Sequence, residues 1–312
     1  MMRRRQFLAT ALGGLLAVPF AAGAARKPAI TIALKSLRNQ FFTMMIAGAD
    51  QHRLTHHGEY QLTIEGVQDE TDVKGQEAIV QRCLDRHDDV LIIAPTDSSA
   101  MIPILLKTIA SHTLVINVDN KLDERALVRA NVNIPFVGPS NFTGARSVGD
   151  YVLHGLKPGS KVAIVEGLPQ SINAKARSDG FREAIRSAGM ALAGMRWGYW
   201  VSDKGRLAAL ELLDAVPDLA VLLCGNDNMA IGAVAAVAER HRRGKVLIGG
   251  YDNITDVAPY IADGRIVATA DQHPALQIQY AIDLALQALR NHTGQGNIQT
   301  IVQTPVELVK RH

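Results

Sequence analysis

From residue 29 onward the chain alternates short apolar runs with amphipathic segments, and it does so in two successive sets. The first set of strand-like runs is Ile30–Leu34, Gln61–Val67, Val90–Ala94, Thr113–Val118 and Leu127–Val132. After Pro139 the pattern restarts with Lys161–Val165, Met195–Tyr199, Ala220–Cys224, Lys245–Gly250 and Ile266–Ala270. Segments of helical period, such as Phe42–His56, Lys74–Arg86 and Ser171–Ala188, lie between them. Strand–helix–strand alternation implies parallel sheets joined by right-handed crossovers. The expected fold class is therefore α/β, with two Rossmann-like lobes built on parallel sheets. Gly58, Gly189 and Gly244 mark helix ends, and Pro103 falls early in a helix. A last helix spans Pro274–Arg290, a polar turn covers 291–297, and an extended stretch, Thr300–Val309, follows.

In open α/β sheets, ligands bind at the carboxyl ends of the strands. Here those ends carry chemistry. The first strand leads into Asn39, Phe41 and Phe42, and the fourth into Asp119 and Asn120. In the second set, Lys175 and Arg177 follow the first strand, and Trp197, Tyr199 and Trp200 the next. Asn226-Asp227, Tyr251-Asp252-Asn253 and Asp271-Gln272-His273 follow the remaining three. Any one Asn or Asp here reads as a turn former or helix cap, and Phe41 and Phe42 as core. Their recurrence at one edge of both lobes points instead to a site for a polyol. Hydroxyls donate and accept, so they suit carboxylates, amides and a guanidinium together, and the C–H faces of a sugar pack on aromatic rings.

Residues 1–24 read as an export signal. Arg3, Arg4 and Arg5 precede a short apolar run, and Ala22-Gly23-Ala24 fits a small-x-small cleavage site. Arg4-Arg5-Gln6-Phe7-Leu8 fits the twin-arginine pattern. The run is too short to span a bilayer, so the expected destination is the periplasm. The whole chain has 33 Lys and Arg against 30 Asp and Glu. Three of the arginines lie in the signal and no acid does, so the remainder is balanced and gives no reason to expect nucleic acid as a partner. Cys83 and Cys224 read as buried small hydrophobes in separate lobes.

Taken in order, these motifs resemble the periplasmic ribose-type sugar-binding proteins of ABC importers, type I periplasmic binding proteins whose fold is shared with lactose-repressor-type effector domains. The resemblance covers residues 28–312. It rests on Asn39, Phe41 and Phe42 in the first loop, Ala94-Pro95-Thr96-Asp97-Ser98 after the third strand, Asp119, and Ala176-Arg177-Ser178-Asp179-Gly180-Phe181. Trp200, Asn226-Asp227-Asn228-Met229-Ala230, Gly250-Tyr251-Asp252 and Gln272 complete it. Gln40 stands where the family usually has Pro, and Asn120 where ribose binders typically carry Arg, which removes a permanent cation.

The resemblance implies a ligand site of Asn39, Phe41, Phe42, Asp119, Asn120, Arg177, Trp200, Asn226, Asp252 and Gln272. It implies a three-segment hinge, with one lobe of 26–138 plus 273–303 and the other of 139–272 plus 304–312. The implied partners are a small neutral sugar or polyol and an inner-membrane ABC permease with its ATPase; the alternative partner is a membrane receptor or sensor kinase. No cofactor is expected. His52, His56 and His57 have no Cys or carboxylate at ligand spacing, so no metal centre is expected either. No phosphate loop or nucleophile elbow marks an enzyme.

Overall fold

A computed structural model describes residues 26–311, so the export signal lies outside the described residues. The strands are β1 (Ala29–Leu34), β2 (Gln61–Gly66), β3 (Val90–Ile93), β4 (Leu114–Val118), β5 (Phe136–Gly138), β6 (Lys161–Glu166), β7 (Ala191–Trp197), β8 (Leu219–Cys224), β9 (Leu247–Gly249), β10 (Ala268–Asp271), β11 (Ile301–Gln303) and β12 (Glu307–Lys310). The helices are α1 (Gln40–Thr55), α2 (Val73–Asp85), α3 (Ile102–Ala110), α4 (Glu124–Arg129), α5 (Asn141–Leu153), α6 (Ile172–Ser187), α7 (Ser202–Ala215), α8 (Asp227–Glu239), α9 (Ala258–Ala262) and α10 (Pro274–Arg290).

These form two six-stranded sheets, ordered β11-β5-β4-β3-β1-β2 and β12-β10-β9-β8-β6-β7. The second sheet repeats the winding of the first, and all pairings are parallel except β10 with β12. Each sheet is thus a doubly wound α/β layer. β1, β3 and most of β4 are buried on both faces, as a sheet covered by helices on both sides requires.

The chain changes sheets three times. It leaves β5 at Gly138 and enters α5, which packs on α6 and β10. It returns after β10 into α10, which packs on α1. It changes again between β11 and β12, so the single extended stretch expected over 300–309 is two short strands in different sheets.

The sequence misplaces one strand. Leu127–Val132 is not β: Asp123 caps a short helix there, accepting from the Ala126 N–H at 2.7 Å, and Asn131 in the left-handed region ends it. The fifth strand is instead Phe136–Gly138. Three residues offer too short a pattern to read, and their pairing with β4 and β11 is what makes them a strand. β7 begins four residues earlier than expected, because this edge strand is largely exposed and carries no clean alternation.

Helix ends hold a second surprise. Of the three glycines expected to mark them, only Gly189 directly follows a helix C-cap in the left-handed conformation. His57, His87, His112, His241 and His292 take the same place after α1, α2, α3, α8 and α10, each with φ between 42° and 66°. Glycine adopts that geometry freely, whereas a Cβ costs roughly 1–2 kcal/mol.

Candidate functional site

The carboxyl edges of both sheets face a cleft with about 290 Å³ of space free of protein atoms, part of it open to solvent. All ten residues singled out by sequence line it, joined by Lys35, Glu70 and Asn173.

The first wall comes from β1, β2, β4 and α1. Asn39 is the N-cap of α1, its Oδ1 accepting from the Phe41 N–H at 3.1 Å, while its Nδ2 donates to Glu70 Oε1 at 3.2 Å. Capping therefore fixes the loop that presents Phe41 and Phe42. The two rings meet edge to face, 5.2 Å apart, and are buried in the core beneath the cavity. They are core residues and wall residues at once. Lys35, the first residue past β1, lies 3.1 Å from Glu70 Oε2, both side chains being nearly buried. That contact misses hydrogen-bond geometry, so Glu70 Oε2 remains an unfilled acceptor.

Asp119 sits past β4 with φ of 59°, and burial pushes its carboxyl up to about 6 despite Lys35 and Arg177 nearby. Asn120 beside it is wholly buried. Its amide donates to the Pro95 carbonyl at 2.7 Å and accepts from Ser171 at 2.9 Å, so it ties the two lobes together.

The second wall is a connected network. Arg177 on α6 donates from Nε to Asn141 at 2.7 Å, and from Nη1 to the Gly225 carbonyl at 2.8 Å and Asp252 Oδ1 at 3.0 Å. Its guanidinium lies 3.8 Å from the centre of the Tyr251 ring and 5.2 Å from that of Trp200. Gln272 donates to the same Asp252 oxygen at 2.7 Å. Burial raises Asp252 to about 7, against the lowering pull of Arg177. Asn226 caps α8 through the Met229 N–H at 3.0 Å and donates to the Trp200 carbonyl at 3.2 Å.

Several of these residues are held in unusual backbone. Trp200 and Asp252 have φ of 67° and 115°. Such strain in non-glycine residues concentrates at functional sites. The Trp200 ring needs Gly167 beneath it, since a Cβ there would fall 2.1 Å from the ring. Asp227 holds the Asp252 loop. Its carboxylate, buried and raised well above the usual range, accepts from the Ile254 N–H at 3.1 Å and Thr269 Oγ1 at 2.7 Å.

Other residues at strand ends stay outside the cavity. Lys175 pairs with Asp179 on the surface, and Trp197 and Tyr199 are exposed. Lys35 and Glu70 escaped the sequence reading, although both lie at the same strand edge. A charged residue after a strand is common, and only their burial singles them out.

A family model described as a periplasmic binding protein domain matches residues 30–293. The chain belongs to the periplasmic binding protein family. It is accordingly a non-catalytic protein of the periplasm. This periplasmic binding protein is 42% identical to the D-ribose/D-allose-binding protein of Pseudomonas aeruginosa over 283 residues, 91% of this chain and 89% of the relative. It is similar to a solved ABC transporter solute-binding protein from Burkholderia multivorans, whose unknown ligand is represented as α-D-erythrofuranose. That likeness has a TM-score of 0.89 and 43% identity, and covers 92% of this chain and 100% of the other. A solute-binding protein from Actinobacillus succinogenes with bound D-allose matches with a TM-score of 0.84 and 27% identity, covering 91% and 98%.

Proposed function

We propose that this periplasmic binding protein captures a single-ring sugar of the ribose–allose class by closing its lobes around it. Its general role is that of its family: it binds a small sugar or polyol and delivers it to the permease of an ABC importer. The finer reading rests on one observation. Three buried polar atoms on the cavity wall lack a hydrogen-bond partner among the described residues: the donor Trp200 Nε1 and the acceptors Gln272 Oε1 and Glu70 Oε2. Leaving buried polar groups unpaired is costly, about 1–3 kcal/mol each. A ligand with several hydroxyls answers donors and acceptors alike. The sugars bound by the P. aeruginosa and A. succinogenes relatives support the ribose–allose class.

In this reading Asp252, Arg177, Asn226 and Gln272 hold hydroxyls from one side and Asp119 and Asn39 from the other. Phe41, Phe42 and Trp200 pack on the C–H faces. Lys35 replaces the cation that Asn120 does not supply, and Asn120 acts as wall and as a strut to Ser171. The lobes are 26–138 plus 273–303 and 139–272 plus 304–312, hinged where the chain changes sheets. Bonds across the cleft, Asn228 to Asn39 at 3.2 Å and Gln40 to the Asp256 N–H at 2.9 Å, favour the closed form, and ligand shifts the equilibrium toward it.

The test is a thermal-shift screen with D-ribose, D-allose, other pentoses and hexoses, alditols and myo-inositol. A ligand at 100 times its Kd adds about 2.7 kcal/mol of stability. The expected hit is D-ribose or D-allose, with a smaller radius of gyration by X-ray scattering when it is added. A hit confined to inositols or alditols overturns the sugar class, and an unchanged radius overturns closure.

A further inference from the structure

We propose that His52, His56 and Asp283 form a binding site for a divalent transition metal of the zinc type, on the outer face of the first lobe and separate from the sugar cavity. The site is assembled by tertiary packing. Asp283 lies 231 positions from His52 along the chain. α1 and α10 cross so closely that a Cβ on Gly48 would fall 2.4 Å from Ala275 Cα, and Gln279 reaches the Gly48 carbonyl at 3.4 Å. From that contact both helices step in fours, through His52 and His56 on one and Gln279 and Asp283 on the other, so these side chains share a face. One ligand atom from each of the three lies within 4.8 Å of the others.

Each histidine has one ring nitrogen engaged by a neighbouring oxygen of the protein. His56 Nδ1 lies 2.8 Å from the His52 carbonyl, so it carries the proton, and Nε2 is left with its lone pair. His52 Nδ1 is anchored 2.7 Å from the Tyr60 hydroxyl, and its Nε2 lies 3.1 Å from Asp283 Oδ1. For His52, one ring nitrogen anchored on a hydroxyl with the other facing Asp283 is the arrangement that fixes a metal-bound imidazole. Two imidazoles and a carboxylate, with a fourth position open to water, suit zinc, and also nickel and copper. The two rings are now stacked, 3.8 Å apart and 8° from parallel. Their lone pairs therefore do not converge. Binding requires the His56 ring to leave the stack and the His52 carbonyl, which its half-exposed position at the helix end permits, and the ion to replace the proton that His52 Nε2 shares with Asp283, Nδ1 then donating to the Tyr60 hydroxyl oxygen. Tetrahedral zinc then draws the ligand atoms to about 3.3 Å from one another. The ion would staple α1 to α10 about 18 Å from the capped end of α1.

The experiment uses the mature chain without an affinity tag, titrated with ZnCl2 alone and followed by thermal shift and calorimetry. One Zn2+ per chain with a raised Tm is expected. His56→Asn should abolish that binding, Asp283→Asn should weaken it at least tenfold, and His57→Asn should leave it unchanged. Both altered ligand positions are at least partly exposed, so the fold should persist, and unchanged circular dichroism checks this. Absence of a zinc-dependent shift in the wild type, or its retention in His56→Asn, overturns the site. Full zinc affinity in Asp283→Asn overturns the carboxylate's part in it.

Discussion

The two walls of the cavity carry similar residue types but are built differently. On the second-lobe wall, Arg177, Asp252, Gln272 and Asn141 are joined in one continuous network, at whose edge Gln272 Oε1 and Trp200 Nε1 stay open for a ligand. On the first-lobe wall, Asp119 stands as a buried carboxylate with no side-chain hydrogen bond among the described residues, and the Lys35–Glu70 pair leaves an acceptor open. A network holds its geometry before a ligand arrives, whereas isolated polar groups depend on the ligand for partners. The second lobe thus orients a sugar through its network, and both walls gain partners on its arrival: Trp200 Nε1 and Gln272 Oε1 on one, Asp119 and Glu70 Oε2 on the other.

The sharpest way to break this contrast is Asp252→Ala, which leaves Arg177 buried without its carboxylate. Sugar affinity should fall by about 3–6 kcal/mol, from two charge-assisted bonds lost, while circular dichroism stays native; calorimetry with near-normal affinity would remove Asp252 from the site. Phe42→Ala separates wall from core. Because the ring is fully buried, unfolding stability should drop by about 3–5 kcal/mol in urea denaturation, and binding should weaken by roughly 1–2 kcal/mol. A loss of stability without a loss of affinity would make Phe42 core alone. Asp119→Asn should weaken binding by about 1.5–3 kcal/mol without a loss of stability, since no protein partner of that carboxylate is removed.

pH tests the same contrast with opposite signs. Burial raises Asp119 to about 6 and Asp252 to about 7, above their values in an unfolded chain. Between about pH 4 and 7 the folded protein therefore holds protons the unfolded chain has released, and the stability of the free protein falls as pH rises. Sugar hydroxyls donate to the ionised carboxylates, so affinity should rise over the same window. Calorimetry across pH 5–8 checks the second trend and thermal melts the first; affinity independent of pH would exclude both carboxylates as acceptors. In Asp119→Asn the lower step, near 6, should vanish. The smallest effect is local: His112→Gly relieves a φ of 66° and should gain about 0.5 kcal/mol in stability.

The sequence reading located most strands because buried parallel strands leave continuous apolar runs, as in Val90–Ile93 and Leu219–Cys224. It failed at Leu127–Val132, where local capping by Asp123 outweighed an apolar pattern, and at Phe136–Gly138, which is a strand only through its neighbours. The cavity-lining residues were legible because each follows a strand and the family order was intact. Lys35 and Glu70 were not, since nothing in sequence distinguishes a buried ion pair from two surface charges.

Sequence by itself determined the two-lobed α/β plan, through the alternation of apolar runs and amphipathic segments that only parallel sheets covered by helices can bury. It also determined which residues stand at the strand ends. Tertiary structure alone decided how those residues are partnered, because hydrogen bonds such as Arg177 to Asp252 join positions 75 residues apart. It likewise brought Asp283 to His52, through the close crossing of two helices at Gly48 and Ala275. Burial and long-range contact are properties of packed atoms, and they set charge state and partner choice where local pattern carries no signal.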